Sequence, residues 1–175
     1  LFTPIVAIAP VGEVEKGLAK IVGPAVAQAF DVEVRAAPPL PMPAGAFDRS
    51  RGQYLSTAFL DLLARARDRG WERLLGVTGA DLYVPQLNFV FGEADPRRGV
   101  AVFSVHRLRT RDAALFARRT ATEAVHELGH TYGLGHCRRR DCVMWFSNTL
   151  SETDRKGARL CPAHAAEIRR LRGRP

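Results

Sequence analysis

Three of the chain's five histidines and two of its three cysteines fall between Glu123 and Trp145, in the stretch EAVHELGHTYGLGHCRRRDCVMW. Imidazole and thiolate are the side chains that hold transition metals, so the question is whether their spacing lets them converge on one ion. His126 and His130 are four residues apart. On a helix that places them roughly 40° apart in azimuth and one turn apart in height, so both rings reach a single ion. Glu127 follows the first of them, where its carboxylate lies beside the metal's open position without being a ligand, the place of a general base in an H-E-x-x-H pattern. Gly133, three residues after the second histidine, can take the left-handed conformation that ends a helix and turns the chain back. That turn brings His136 round as a third ligand. Three neutral imidazoles leave a tetrahedral Zn²⁺ one position for water, which separates catalytic from structural zinc. The string His126-Glu127-x-x-His130-x-x-Gly133-x-x-His136 fixes five positions, and chance agreement is far rarer than for a bare H-E-x-x-H. The expected chemistry is hydrolysis by a metal-activated water.

Met144 stands where the metzincin pattern places the Met of a turn beneath the metal, and with the histidine string it resembles the metzincin metallopeptidases. The next residues narrow the resemblance to the archaemetzincins, in which the third histidine is followed at once by Cys-x4-Cys-x-Met. Here the run is His136-Cys137-RRRD-Cys142-Val143-Met144, without a gap. The segments LGVTGADLYVPQLNFVFGEA and FSNTLSETDRKG also resemble that family, so the similarity covers residues 71–165. One position departs: the family's final Cys-x-x-Cys is Cys161-Pro-Ala-His164. Since Cys₃His is a common structural zinc set, the resemblance still implies a second, closed zinc on Cys137, Cys142, Cys161 and His164, clipping a C-terminal helix to the active-site loop. Pro162 suits the first turn of that helix. The resemblance thus implies a zinc peptidase with two ions per chain, one catalytic and one structural, and Glu127 as general base. Metzincin architecture further implies that a peptide or protein substrate lies extended along an antiparallel edge strand. The segment Asn88 to Ala94 is expected to be that edge, with Asn88, Phe89, Val90, Phe91 and Gly92 binding substrate.

The elements that must position these residues follow from periodicity. TPIVAIAP is a short apolar run bounded by prolines and reads as a strand; VEKGLAKIVGPAVAQAF has helical spacing despite Pro24. DVEVRAA reads as a second strand, PPLPMPAGAFDRSRG as an irregular loop, and QYLSTAFLDLLARARDRG as an amphipathic helix ended by Gly70. ERLLGVTGADLY, NFVFGEA and GVAVFSVHRL read as three strands, the last carrying His106 as a structural residue. RDAALFARRTATEAVHELGHTYGL is the longest helix, with the histidines at its C-terminal end. The sum is an α/β fold: a mixed, mostly parallel twisted sheet with an antiparallel edge strand, packed by helices that include the zinc helix and, by resemblance, metzincin-like. Residues 1–175 are expected to form a single domain.

Composition bounds the alternatives. At 175 residues, with 46% hydrophobic and 25% charged, the chain suits one globular core. The start LFTPIVAIAP lacks the basic lead and cleavage site of a signal peptide, and no apolar run approaches the roughly 20 residues that cross a bilayer. The expected compartment is the cytoplasm, with no membrane partner. An odd set of three cysteines argues for metal-held thiolates and against a disulfide framework. The net charge is +8, and from Cys137 onward ten Lys or Arg face four Asp or Glu. Those arginines lack the interleaved aromatics of a single-strand platform and read as a solvated surface rather than a nucleic-acid site; a monomer is expected. Two rival functions remain. A metal-dependent ribonuclease also uses His-x3-His-x5-His, but without a glutamate after the first histidine. A non-catalytic zinc-stabilised binding module would fill the first site without turnover.

Overall fold

The structure, a computed structural model, describes residues 3–173. In chain order the elements are β1 (Ile5–Val11), α1 (Leu18–Phe30), β2 (Glu33–Ala36), β3 (Phe47–Asp48), β4 (Gln53–Leu55), α2 (Ser56–Ala66), β5 (Arg73–Thr78), β6 (Leu82–Tyr83), β7 (Gly92–Asp95), β8 (Val100–Ser104), a 3-10 turn at His106–Leu108, α3 (Ala113–Thr131), α4 (Leu150–Lys156) and α5 (Pro162–Leu171). The main sheet has the order β2-β1-β5-β8-β7. Its first four strands are mutually parallel, and β7 runs antiparallel along β8 at the edge.

Parallel strands covered on both faces must be apolar throughout rather than alternating, and β1, β5 and β8 meet that condition. Period-two geometry then sorts their side chains. Val6, Ile8, Leu75, Val77, Ala101 and Phe103 face one core with α1 and α3; Ala7, Ala9, Leu74, Val100 and Val102 face the other with α2. α1 contributes Leu18, Val22, Val26 and Phe30 at helical spacing, and α2 contributes Phe59, Leu60 and Leu63. Each such buried side chain stabilises the fold by about 1.5–3 kcal/mol. The result is a three-layer helix–sheet–helix stack, the mixed and mostly parallel sheet that the periodicity predicts.

Boundaries differ from the sequence reading in several places. Gln53–Leu55 is a strand, not the start of a helix, because it pairs with both β3 and β6 in a second, three-stranded sheet. α2 stops at Ala66, before Gly70, where Asp68 accepts the Gly70 N–H at 2.7 Å and offers the backbone a turn instead of a helix. The proline-rich loop carries β3 and a bridge from Leu40 to Val11. His106 lies in the 3-10 turn and not on a strand, because the Ser104 hydroxyl accepts its N–H at 3.0 Å and ends β8. The edge strand is also shorter than Asn88 to Ala94: the ladder begins at Gly92. Upstream of it the chain turns to the small sheet, with the Asn88 carbonyl accepting from Gln53 at 2.9 Å and Val90 N–H donating to Leu82.

Candidate metal and catalytic site

α3 starts where Asp112 caps the Leu115 N–H at 3.0 Å, and packs Ala124, Val125 and Leu128 into the core. Its last turns are buried nearly all round because residues 142–156 cover the face away from the sheet. Gly133, with φ +85°, ends it. Leu134 N–H donates to Gly129 O at 3.1 Å and Gly133 N–H to His130 O at 3.0 Å, the paired bonds of a Schellman turn. Leu134 then offers its own carbonyl to His130 Nδ1 at 2.9 Å, and the reversed chain presents His136.

Carbonyl oxygens orient the first two rings. His126 Nδ1 faces Val143 O at 2.7 Å, and His130 Nδ1 faces Leu134 O. A carbonyl only accepts, so both Nδ1 atoms carry the proton and both Nε2 atoms present lone pairs. Those lone pairs point at each other across 3.2 Å. With nothing positive between them this is repulsive, whereas a tetrahedral zinc at about 2.0–2.1 Å from each nitrogen sets them roughly 3.3 Å apart. His136 completes the group, its ring centroid 5.5 Å from that of His126 and 4.8 Å from that of His130. The three ligand atoms lie within 4.8 Å of one another. Burial is the main cause holding all three histidines below the usual pKa, so they are neutral and able to bind metal. The donor set fits Zn²⁺. Met144 packs against the Cα of Gly129, where a Cβ would overlap its sulfur.

Glu127 is buried and lies against the edge strand. Burial, then the charge of Glu123, pushes its carboxyl well above the ordinary range, while the Lys156 ammonium acts the other way. Glu123 is one turn earlier on the same face. Its Oε1 accepts from Thr153 at 3.1 Å and pairs with Lys156 Nζ at 3.7 Å, with side chains 3% and 1% exposed respectively. Lys156 Nζ also donates to Trp145 O at 3.1 Å and lies 3.2 Å from His126 Nδ1.

The cysteines form a second cluster. Cys137 Sγ and Cys161 Sγ are 3.9 Å apart, and His164 Nδ1 is 3.4 Å from Cys142 Sγ and 3.6 Å from Cys161 Sγ. The edges of a zinc tetrahedron with Zn–S near 2.3 Å and Zn–N near 2.0 Å are about 3.8 Å for S···S and about 3.5 Å for S···N, so this donor set also fits the ion. None of the three thiols is in a disulfide. Pro162 occupies the first turn of α5, leaving Cys161 at its N-cap and His164 one turn in.

A cleft of about 470 Å³ opens over the histidines. Asn88, Phe89, Val90, Phe91 and Gly92 form one wall with Glu93 and Ala94, and Phe146, Ser147 and Asn148 the other. The three histidines and the Cys137, Cys142, Cys161 and His164 set lie in two clusters, Glu127 and residues 88–92 line the cleft, and Met144 packs in the core against Gly129. His106 stands apart, exposed on the 3-10 turn. Sequence reasoning missed Glu123, Thr153 and Lys156. Glu123 carried one signal, a charge four residues before Glu127 on the face that had to be inside; Lys156, in ETDRKG, carried none.

The family model described as Peptidase family M54 matches residues 36–170. An archaemetzincin of Methanopyrus kandleri is 50% identical over 120 residues, covering 69% of this chain and 68% of that protein. The crystal structure of the archaemetzincin from that organism superposes with a TM-score of 0.86 at 38% identity, covering 98% of this chain and 97% of the other. That of the Archaeoglobus fulgidus archaemetzincin, complexed with malonate, gives 0.82 at 37% identity over 93% of this chain and 99% of the other.

Proposed function

Because the chain belongs to peptidase family M54, the archaemetzincins, and is a zinc-dependent metallopeptidase, we propose that His126, His130 and His136 hold its catalytic zinc and that Glu127 is the general base. The observation that carries this reading is the pair of Nε2 lone pairs converging across 3.2 Å at the floor of the cleft that Glu127 also lines. Zinc bound there supplies a Lewis acid that polarises the scissile carbonyl and makes water a nucleophile at neutral pH. The chain's own groups do the rest. A carboxylate oxygen of Glu127 accepts the proton of the attacking water and passes it to the departing amine nitrogen, so no covalent acyl-enzyme is needed. Burial, then the charge of Glu123, raises the proton affinity of Glu127, and the Lys156 ammonium acts against them. The substrate lies extended along the antiparallel edge strand β7, against the wall from Asn88 to Gly92. Met144 supports the histidines from below. Cys137, Cys142, Cys161 and His164 hold a second, structural zinc, for two ions per chain. Residues 1–175 act as one metallopeptidase domain, a monomer with a peptide or protein substrate. No helix among the described residues is long and apolar enough to cross a membrane.

Turnover of a diverse peptide library by zinc-loaded wild type and Glu127→Ala tests the assignment, with zinc counted by elemental analysis. Glu127→Ala should lose on the order of 10²–10⁴-fold in kcat/KM while both proteins carry two zinc ions. Cleavage at the wild-type rate removes Glu127 from the chemistry. Loss of one zinc makes it a ligand instead, and a wild type with a single zinc removes the second site.

A further inference from the structure

The histidines and the cysteine cluster are wired together through the backbone at two points. Cys137 is the residue after His136. Val143, the residue after Cys142, gives its carbonyl to His126 Nδ1–H at 2.7 Å. The segment between them is held from the C-terminal side: Val143 N–H donates to Arg159 O at 2.8 Å, and Cys161 N–H donates to Cys142 Sγ at 3.3 Å. Cys137 N–H donates to Met144 O at 2.9 Å and closes the loop on itself. His130 is different, because its carbonyl partner, Leu134, belongs to the turn that α3 makes at its own end. Two of the three histidines are thus positioned by the sulfur cluster, and one is not.

We infer that the Cys137, Cys142, Cys161 and His164 cluster is a positioning device for the catalytic metal. Filling it fixes the Val143 carbonyl and the His136–Cys137 peptide, and so raises the metal affinity of the histidine site. Free-energy coupling is reciprocal, so a metal on the histidines tightens the cluster by the same factor. This rests on the two-site reading above. Outer-shell partners of ligating histidines typically change metal affinity 10–100-fold, and the cluster controls one such contact, the Val143 carbonyl on His126, together with the backbone that carries His136.

The reduced, metal-free full chain is titrated with Co²⁺, whose thiolate charge-transfer absorption reports the cluster alone. In the wild type that absorption should saturate with the first equivalent, and the histidine site should fill with the second. Affinity at the histidine site is then measured by competition with a chelator in wild type, in Cys161→Ser/His164→Ala, which leaves two of the cluster's four ligands, and in His164→Cys, which restores a fourth thiolate. The double variant should bind the histidine-site metal roughly 10–100-fold more weakly, with the sheet's circular dichroism unchanged, and His164→Cys should match the wild type. A double variant with wild-type affinity at the histidines overturns the coupling. If it does not fold, the wild-type titration decides: two sites that fill independently, each with the same affinity whether the other is empty or occupied, overturn it equally. Binding of a single Co²⁺ without charge-transfer absorption overturns the two-site reading itself, and the coupling with it.

Discussion

Gly92 sits where β7 passes closest to the zinc helix. A Cβ added there would lie 2.5 Å from the Val102 carbonyl oxygen and 2.6 Å from Glu127 Cγ. The edge strand can approach Glu127 only because position 92 has no side chain, so Gly92→Ala must push the carboxylate, the strand or both. A displacement near 1 Å at a reacting group costs on the order of 10²-fold in rate. Peptide turnover by Gly92→Ala should fall by about that factor, with its zinc content unchanged because the three atoms nearest the added Cβ belong to Val102 and Glu127; equal turnover in the two proteins would show that the carboxylate tolerates the shift. The reason for this glycine was not legible in NFVFGEA, which reads as an edge strand whatever residue stands at position 92. Lys156 was less legible still. A lysine in ETDRKG looks solvated, and only the packing of α4 on α3 takes its ammonium inside to meet Glu123. The histidine spacing, by contrast, says directly that His126 and His130 share a helix face, since helical geometry decides it without tertiary help.

At the scale of elements, α4 has seven residues and cannot stand alone as a helix. Thr149 and Glu152 close a capping box at its start, and its docking is by polar contacts onto α3. Arg119 grips Asp154 with two parallel bonds, Nε to Oδ1 at 2.7 Å and an Nη to Oδ2 at 2.8 Å, largely shielded from water. The hydrogen bond from Arg119, ahead of its charge, holds the Asp154 carboxyl below the ordinary range. A depressed folded pKa contributes stability that is fully present above the unfolded value near 3.9 and is lost as pH falls through the folded value. Asp154→Asn should therefore lower stability by about 1 kcal/mol at neutral pH, or about 2–4 °C in Tm. The gap between the two proteins should close as the pH of the melt is taken below 4, in thermal denaturation followed by circular dichroism; a gap constant with pH would assign the effect to something other than the ion pair. Such short elements are where periodicity fails. β3, β4 and β6 have two or three residues each, and pairing partners rather than local pattern decide that they are strands.

For the whole molecule, the apolar runs IVAIAPV, RLLGVT and VAVFS made the buried parallel sheet legible, because only strands covered on both faces are uniformly apolar. Their order was not. β1 pairs with β5 across the chain, and nothing local in either strand names its neighbour. The same topology divides the labour along the sequence: every strand of the main sheet lies between Ile5 and Ser104, and every metal-binding candidate between His126 and His164. Hydrogen exchange should therefore find β1, β5 and β8 as protected in chelated protein as in zinc-loaded protein, with faster exchange confined to residues 135–165; loss of protection in the strands would make zinc part of the fold's foundation. The ordering has a consequence for biosynthesis. A ribosome adds about 5–20 residues per second, so the strands are available to pair for several seconds before His164 is made. If the strands prove protected without zinc, the metal enters a scaffold already standing, and a cell short of it would hold a pool of well-formed but immature enzyme that becomes active when metal arrives without any new protein synthesis.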